Sequence, residues 1–170
     1  IHEDERGSFQ EVWALRRFRE LFKQQFEINA IAPSVEQVNF ASNPNRGTLR
    51  GMHWQSKKAP VGKFVFCLSG CIQDIVIDVR RDNKSIKPYD SYGNNCSYIL
   101  KGLDCTYGNT AKALWVPKGF AHGYLTLLDN TNVVYLQTDS GYSALESCSC
   151  DPLSCGLPWI SKVSLGVEEY

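Results

Sequence analysis

Three histidines occur in the 170 residues of the chain, and two of them stand where an ionisable ring has little company of its own kind. His53 lies in GTLRGMHWQ, residues 47–55, three residues after Arg50 and directly before Trp54; His122 lies in PKGFAHGY, 69 residues further on. A site that uses both is assembled by the fold. Taken singly, each histidine reads as a half-buried ring satisfied by its neighbours. Lys63 and Tyr135 lie in the same kind of strand-rich segment. An imidazole, a guanidinium, an ammonium and a phenol gathered in one pocket have little reason to exist as packing, because each is costly to bury. Together they could move protons. An imidazole ordinarily titrates at about pH 6.5 and serves as a base near neutrality, while a fixed cation steadies a developing oxyanion.

A metal centre is not expected. PKGFAH resembles the second motif of the cupin barrels, but the paired histidines of the first motif are absent: His53 has no histidine two residues on, and His2 is the only other one. Cys148, Cys150 and Cys155 cluster in CSCDPLSC, yet no fourth Cys or His lies near, and a structural zinc takes four ligands. Seven cysteines are an odd number, and Cys67, Cys71, Cys96 and Cys105 show no paired spacing, so reduced thiols are expected.

The elements that must position these groups are mainly strands. ALRRFRELFKQQF places Ala14, Leu15, Phe18, Leu21, Phe22 and Phe26 on one face and predicts a single amphipathic helix. Clusters of β-branched and aromatic residues between turn residues predict strands over 35–40, 64–68, 71–79, 113–117, 123–128 and 132–138. In DIVIDV the residues Ile75, Ile77 and Val79 alternate with Asp74, Val76 and Asp78, the period of a strand whose two faces differ. Residues 83–110 are richer in Gly, Asn, Ser and Tyr and predict a long excursion with at most a strand or two. Many short strands joined by turns suggest a jelly-roll sandwich or small barrel, with room inside for one small ligand.

The length suits one domain, 1–170. The 18 Lys and Arg balance the 18 Asp and Glu, which argues against nucleic acid or an acidic membrane surface as partner. No run approaches the roughly 20 apolar residues a membrane span needs. No charged and then apolar segment opens the sequence, so the expected location is the cytoplasm.

In order and spacing, DERGSFQE, EQVNFASNPNRGTLRGMHWQ, GKFVFCLSGCIQDIVIDVRRD, LWVPKGFAHGY, VVYLQTD and DPLSCGLPWI resemble the motifs of the dTDP-4-dehydrorhamnose 3,5-epimerase family. The resemblance runs from Asp4 to about Ile160, apart from the helix and the excursion. It implies a cupin-type jelly roll, mainly β with few short helices. It also implies a homodimer and a cofactor-independent epimerase acting on a nucleotide-diphosphate 4-keto-6-deoxy sugar, dTDP- or GDP-linked. By the family's pattern His53 is the base, Tyr135 the acid on the opposite face and Lys63 the group that steadies the oxyanion. Arg6 and Arg50 match the arginines that hold the diphosphate, and Glu11, Gln37, Asn39, His122 and Glu146 match positions that contact the substrate or shape its pocket. Two other readings use the same groups: a cupin that binds a nucleotide sugar without turning it over, and a ketoisomerase that moves the carbonyl.

Three features depart from the family. After Tyr135 the usual Lys is Leu136, and Ser140 and Gly141 stand where a tyrosine pair holds the nucleotide base, with Tyr142 as a substitute. For the carboxylate that orients the basic histidine, either Glu168 or Glu169 stands in or the residue lies beyond Tyr170. The excursion at 83–110 is the third. Within the Arg50–His53 motif, three residues of straight strand would put the two side chains on opposite sides, and Gly51 between them predicts a bulge that turns both toward one ligand.

Overall fold

The computed structural model of the chain describes residues 2–4, 7–9, 14, 16–17, 19–20, 34–80, 97–102, 104–105, 113–139, 141, 143–161 and 163–166. They fall into two compact units, 1–34 and 35–170. In the first, β1 (His2–Asp4) and β2 (Gly7–Phe9) pair antiparallel. Arg16, Arg17, Arg19 and Glu20 are helical and exposed, the polar face that the helical period predicts. The apolar positions Leu15, Phe18, Leu21, Phe22 and Phe26 lie outside the described residues.

The second unit is a sandwich of two antiparallel sheets. Its strands are β3 (Val35–Asn43), β4 (Leu49–Gln55), β5 (Lys63–Ser69), β6 (Cys71–Asp78) and β7 (Ser97–Lys101). They continue with β8 (Ala113–Val116), β9 (Phe120–Thr126), β10 (Thr131–Thr138) and β11 (Ser147–Ser149). One sheet runs β3-β10-β5-β8 and the other β11-β4-β9-β6-β7. This is the cupin-type jelly roll expected from the sequence. The six strands predicted from composition are all present, within about three residues at their ends. Three more are β4, β7 inside the excursion, and the short β11.

Three apolar clusters hold the sandwich. Val65, Cys67, Val116 and Val133 of one sheet meet Ile72, Leu100 and Tyr124 of the other. On the far side of the second sheet, Met52, Ile75, Ile77 and Ala121 pack under Leu157, with Trp159, Cys150 and Cys155 against them. Cys71, Cys105, Leu125 and Leu127 form the third, against Leu49, Ile160 and Leu165. The C-terminal segment therefore covers the outer face of the β4-β9-β6 sheet. Each fully buried Ile or Leu contributes about 1.5–3 kcal/mol of apolar transfer free energy. The described cysteines are free; Cys96 lies outside the described residues.

Strand β4 is irregular where the sequence predicts it. Arg50 pairs with Tyr124 of β9 and His53 with His122, and the register shifts between Arg50 and His53. Gly51 sits at φ +113, and a Cβ on it would stand 2.5 Å from the Gly123 Cα and 2.8 Å from the His122 carbonyl oxygen. Both walls of that contact are backbone and cannot yield. Gly51→Ala is therefore expected to cost about 3 kcal/mol or more, by steric overlap and by a φ that L residues avoid. Gly156→Ala, at φ +62 with nothing within 4 Å of its Cβ, should cost about 1 kcal/mol. Urea denaturation midpoints check the difference, and equal losses at the two positions would refute the close-approach account.

Candidate active site

Between the sheets lies a cavity of about 550 Å³ lined by Asn39, Ala41, Arg50, Gly51, His53, Lys63, Tyr135, Gln137 and Ser147. The register of the strands explains the gathering. Tyr135 of β10 is flanked by Asn39 of β3 and Val65 of β5, and Gln137 by Gln37 and Lys63, so one face of this sheet presents Asn39, Lys63, Tyr135 and Gln137 together. The opposite wall comes from β4, where the bulge at Gly51 lets Arg50 and His53 line the same cavity. Arg50 is fixed by Nε donating to Asn43 Oδ1 at 2.8 Å, and the Tyr124 hydroxyl donates to the same oxygen at 3.3 Å.

His122 stands behind His53. It is fully buried, its ring edge-on to His53 at 5.3 Å between centroids and to Tyr135 at 5.9 Å. Its Nδ1 lies 3.1 Å from Asp74 Oδ2, and Asp74 is equally buried. Asp74 Oδ1 and His122 Nε2 make no hydrogen bond among the described residues. Burial pushes the Asp74 carboxyl well above the usual carboxylate range, with the Lys63 charge opposing. Burial, and then Lys63, hold His122 well below the usual histidine range. The pair is thus a nearly neutral unit in a dry core, and the hydrogen bond between its members is what makes the burial tolerable.

Burial and the neighbouring charges set the protonation states of the cavity groups. His53 is pushed down to about 3 by burial first and then by His122, Lys63 and Arg50, so it is a neutral imidazole at ordinary pH. Burial pushes Lys63 down to about 8, with the Asp74 charge countering part of the shift, so it stays a cation at neutrality. Burial, and then Tyr124, raise Tyr135 beyond the ordinary phenol range, so it keeps its proton. A neutral base, an ammonium and a phenol donor are therefore present at once.

Of the ten residues singled out in the sequence, Asn39, Arg50, His53, Lys63 and Tyr135 line the cavity. Gln37 is half-buried one step away on β3, its Nε2 donating to Asn39 Oδ1 at 2.8 Å. His122 lies behind the wall. Glu146, in the short 3-10 helix Ala144–Glu146, accepts a hydrogen bond from the Ser56 hydroxyl and its carbonyl takes the Ser56 N–H at 2.8 Å, which ties that helix to the end of β4. Arg6 and Glu11 lie outside the described residues, as do Ser140, Tyr142, Glu168 and Glu169. Among the described residues the histidine that carries a carboxylate is His122. Sequence reasoning passed over Asp74, Gln137 and Ser147 as site residues; the available signal for Asp74 was a carboxylate within the mostly apolar, β-branched run CIQDIVIDV. Among the described residues no group of three or more His, Cys, Asp or Glu could hold a metal ion, and no helix is long and apolar enough to cross a membrane.

Known proteins share this architecture. The family model described as dTDP-4-dehydrorhamnose 3,5-epimerase matches residues 1–165. A dTDP-4-dehydrorhamnose 3,5-epimerase of Streptomyces griseus is 32% identical over 92% of this chain and 68% of its own length. Among solved structures, the dTDP-6-deoxy-D-glucose-3,5-epimerase of Legionella pneumophila in complex with dTDP-4-keto-L-rhamnose is 30% identical. It superposes with a TM-score of 0.67 over 92% of this chain and 72% of that one. A 3'-monoepimerase of Streptomyces bikiniensis in complex with dTDP-quinovose is 29% identical, with a TM-score of 0.65 over 94% and 71%. The chain belongs to the dTDP-4-dehydrorhamnose 3,5-epimerase family.

Proposed function

We propose that the chain inverts carbon 3, carbon 5 or both of a dTDP-linked 4-keto-6-deoxy sugar. The observation that carries this is a single cavity with His53 on the wall of one sheet, Tyr135 on the wall of the other and Lys63 among them. Inversion needs two proton-bearing groups on opposite faces of a flat intermediate, and two sheets facing across a cavity supply opposite faces. The nucleotide and sugar class follow from the relatives, whose names specify dTDP sugars with inversion at 3 and 5 or at 3 alone.

In this reading the His53 nitrogen takes the proton from a carbon next to the carbon 4 carbonyl. The bonding electrons move into the ring, and the carbonyl oxygen becomes an enolate oxygen facing the Lys63 ammonium. Tyr135 then gives its hydroxyl proton to the same carbon from the other face, and exchange with water resets imidazolium and phenolate. A preorganised donor to such an oxyanion lowers a barrier by about 3–4 kcal/mol. Arg50, held by Asn43, offers a fork-shaped cation for the diphosphate. The bound diphosphate also sets negative charge beside the cations that depress His53, which raises its affinity for the proton it must accept.

A homodimer belongs to the same proposal. Val38 and Phe40 on β3 are 62% and 63% exposed, an apolar pair that a second copy of the chain would cover. Sedimentation at micromolar concentration should give twice the chain mass, and Phe40→Glu should give the monomer.

Incubation with dTDP-4-keto-6-deoxyglucose in heavy water, followed by NMR, tests the reaction. Deuterium at carbon 3 alone marks a single inversion and at both carbons a double one; none marks a binder, and a relocated carbonyl marks a ketoisomerase. His53→Asn and Tyr135→Phe should each retain the fold and lose at least about a thousandfold in turnover. Full exchange in His53→Asn would remove it as the base. The pH profile of kcat/KM follows from the same groups. His53 is neutral above about 3, so no acid limb is expected between pH 5 and 7. Lys63 loses its charge as pH rises through about 8, so activity should fall from there, about tenfold per unit.

Asp74 is a positioning residue for this reaction, acting through His122 on the rings beside it. Asp74→Asn should keep the fold and lower kcat at least about tenfold with KM nearly unchanged, because the carboxylate fixes the orientation and tautomer of the imidazole. Asp74→Ala, which strands the buried His122 nitrogen, should cost about 2–4 kcal/mol in denaturant unfolding. Wild-type kcat in Asp74→Asn would show that the pair serves packing alone.

A further inference from the structure

Beyond β11 the chain makes a turn, residues 150–156, that the proposed chemistry does not use. Cys150 is tied to β4 by both backbone groups, its N–H donating to the Met52 carbonyl at 3.0 Å and its carbonyl accepting the Met52 N–H at 3.1 Å. Met52 is fully buried and immediately precedes His53. Five residues later the turn brings Cys155 back, and the two Sγ atoms stand 3.2 Å apart. Side chains within the turn enforce this return. Asp151 Oδ1 accepts the Leu153 N–H at 3.1 Å, and the Asp151 carbonyl accepts from the Ser154 hydroxyl at 2.9 Å and the Cys155 thiol at 3.2 Å. Gly156 leaves the turn at φ +62, and both cysteines pack on the Met52 cluster while remaining partly exposed.

We propose that Cys150 and Cys155 form a reversible disulfide by exchange with a low-molecular-weight disulfide, fastening the 150–156 turn onto strand β4. From 3.2 Å the sulfurs have only about 1.2 Å to close to reach bonding distance. Thiolates are the attacking species, and burial followed by the Cys155 contact pushes the Cys150 thiol up to about 12, which disfavours Cys150 as the first to attack. Cys155 loses its proton and bonds to one sulfur of the small disulfide, whose S–S bond breaks and releases one thiol. Cys150 then loses its proton and attacks the Cys155 sulfur, expelling the second thiol. The protein gives up two protons and two electrons, and the small disulfide takes up both. Closing the turn restrains Cys150 and, through its paired hydrogen bonds, the backbone of Met52 beside His53. The latch stands independently of the reaction assigned to the cavity.

The full chain incubated with oxidised glutathione at about pH 8, alkylated under denaturing conditions and mapped by mass spectrometry, tests this. The expected product links Cys150 to Cys155 within one peptide, two hydrogens lighter and free of glutathione. Cys150→Ser removes the resolving thiol, and its Cys155 should retain one glutathione. Hydrogen exchange at the Met52 and Cys150 amides should be about tenfold slower in the oxidised protein than in the reduced one. Four results would each overturn the proposal: both cysteines alkylated after oxidation, a glutathione persisting on the unsubstituted chain, a link to Cys148, or exchange unaffected by oxidation.

Discussion

The close approach of Gly51 to Gly123 is the constraint on which the site rests. With a hypothetical Cβ on Gly51 only 2.5 Å from the Gly123 Cα, β4 and β9 come nearer there than any side chain permits. That nearness lets β4 carry the shift of register between Arg50 and His53 without leaving the sheet. A regular strand would have sent one of the two cavity side chains into the Met52 cluster on the far side of the sheet. The irregularity instead puts Met52 and Trp54 against that apolar layer and keeps the guanidinium and the imidazole on the inner face. The sheet gives up one stretch of regular pairing and gains a wall with two chemical groups on it.

Having gathered those groups, the fold must also make them compatible. Arg50, Lys63, His53 and His122 would repel one another if all were charged. Burial resolves the conflict by charge type: imidazoles, already near neutrality in water, give up their protons, while Lys63 loses affinity for its proton yet holds it at neutral pH. Asp74 supplies the compensating partner deep between the sheets, against His122 and within reach of the Lys63 field. The neutral state of His53 is thus a product of its neighbours as much as of its own burial, and any change in the local cations alters its basicity.

Much of this could be read from the residues, and the rest fails for identifiable reasons. The Gly51 bulge was legible because two functional side chains three apart, with a glycine between, have few other ways to face one ligand. His53, Lys63 and Tyr135 were legible through their motifs, and β6 through its β-branched run. The role of Asp74 was not. Alternation in DIVIDV suggests one polar and one apolar face, yet Asp74, Ile75 and Ile77 are all fully buried, because the segment around Leu157 and Trp159 covers the outer face and the second sheet covers the inner one. Period-2 patterning tells which residues share a face and is silent about what covers it. Glu146 illustrates the converse: a polar residue at a family position that this structure uses to clamp Ser56.

Among the described residues, the departures at Leu136 and Gly141 leave the chemical wall in place. Leu136 replaces the usual lysine, but Tyr135 and Gln137 line the cavity, so the strand's alternation turns Leu136 to the opposite face, where it pairs with Val38 and Phe64. A charge there would not have reached the inner groups directly. Gly141 lies after Thr138, where β10 has left the sheet, at φ +68 and against Gln37. Changes of this kind sit beyond the strand that holds Tyr135, in a segment whose conformation is set by its own turn. A jelly roll can therefore vary beyond the end of a strand while the facing residues of β4, β5 and β10 keep their register. The gathering of the cavity groups depends on that register.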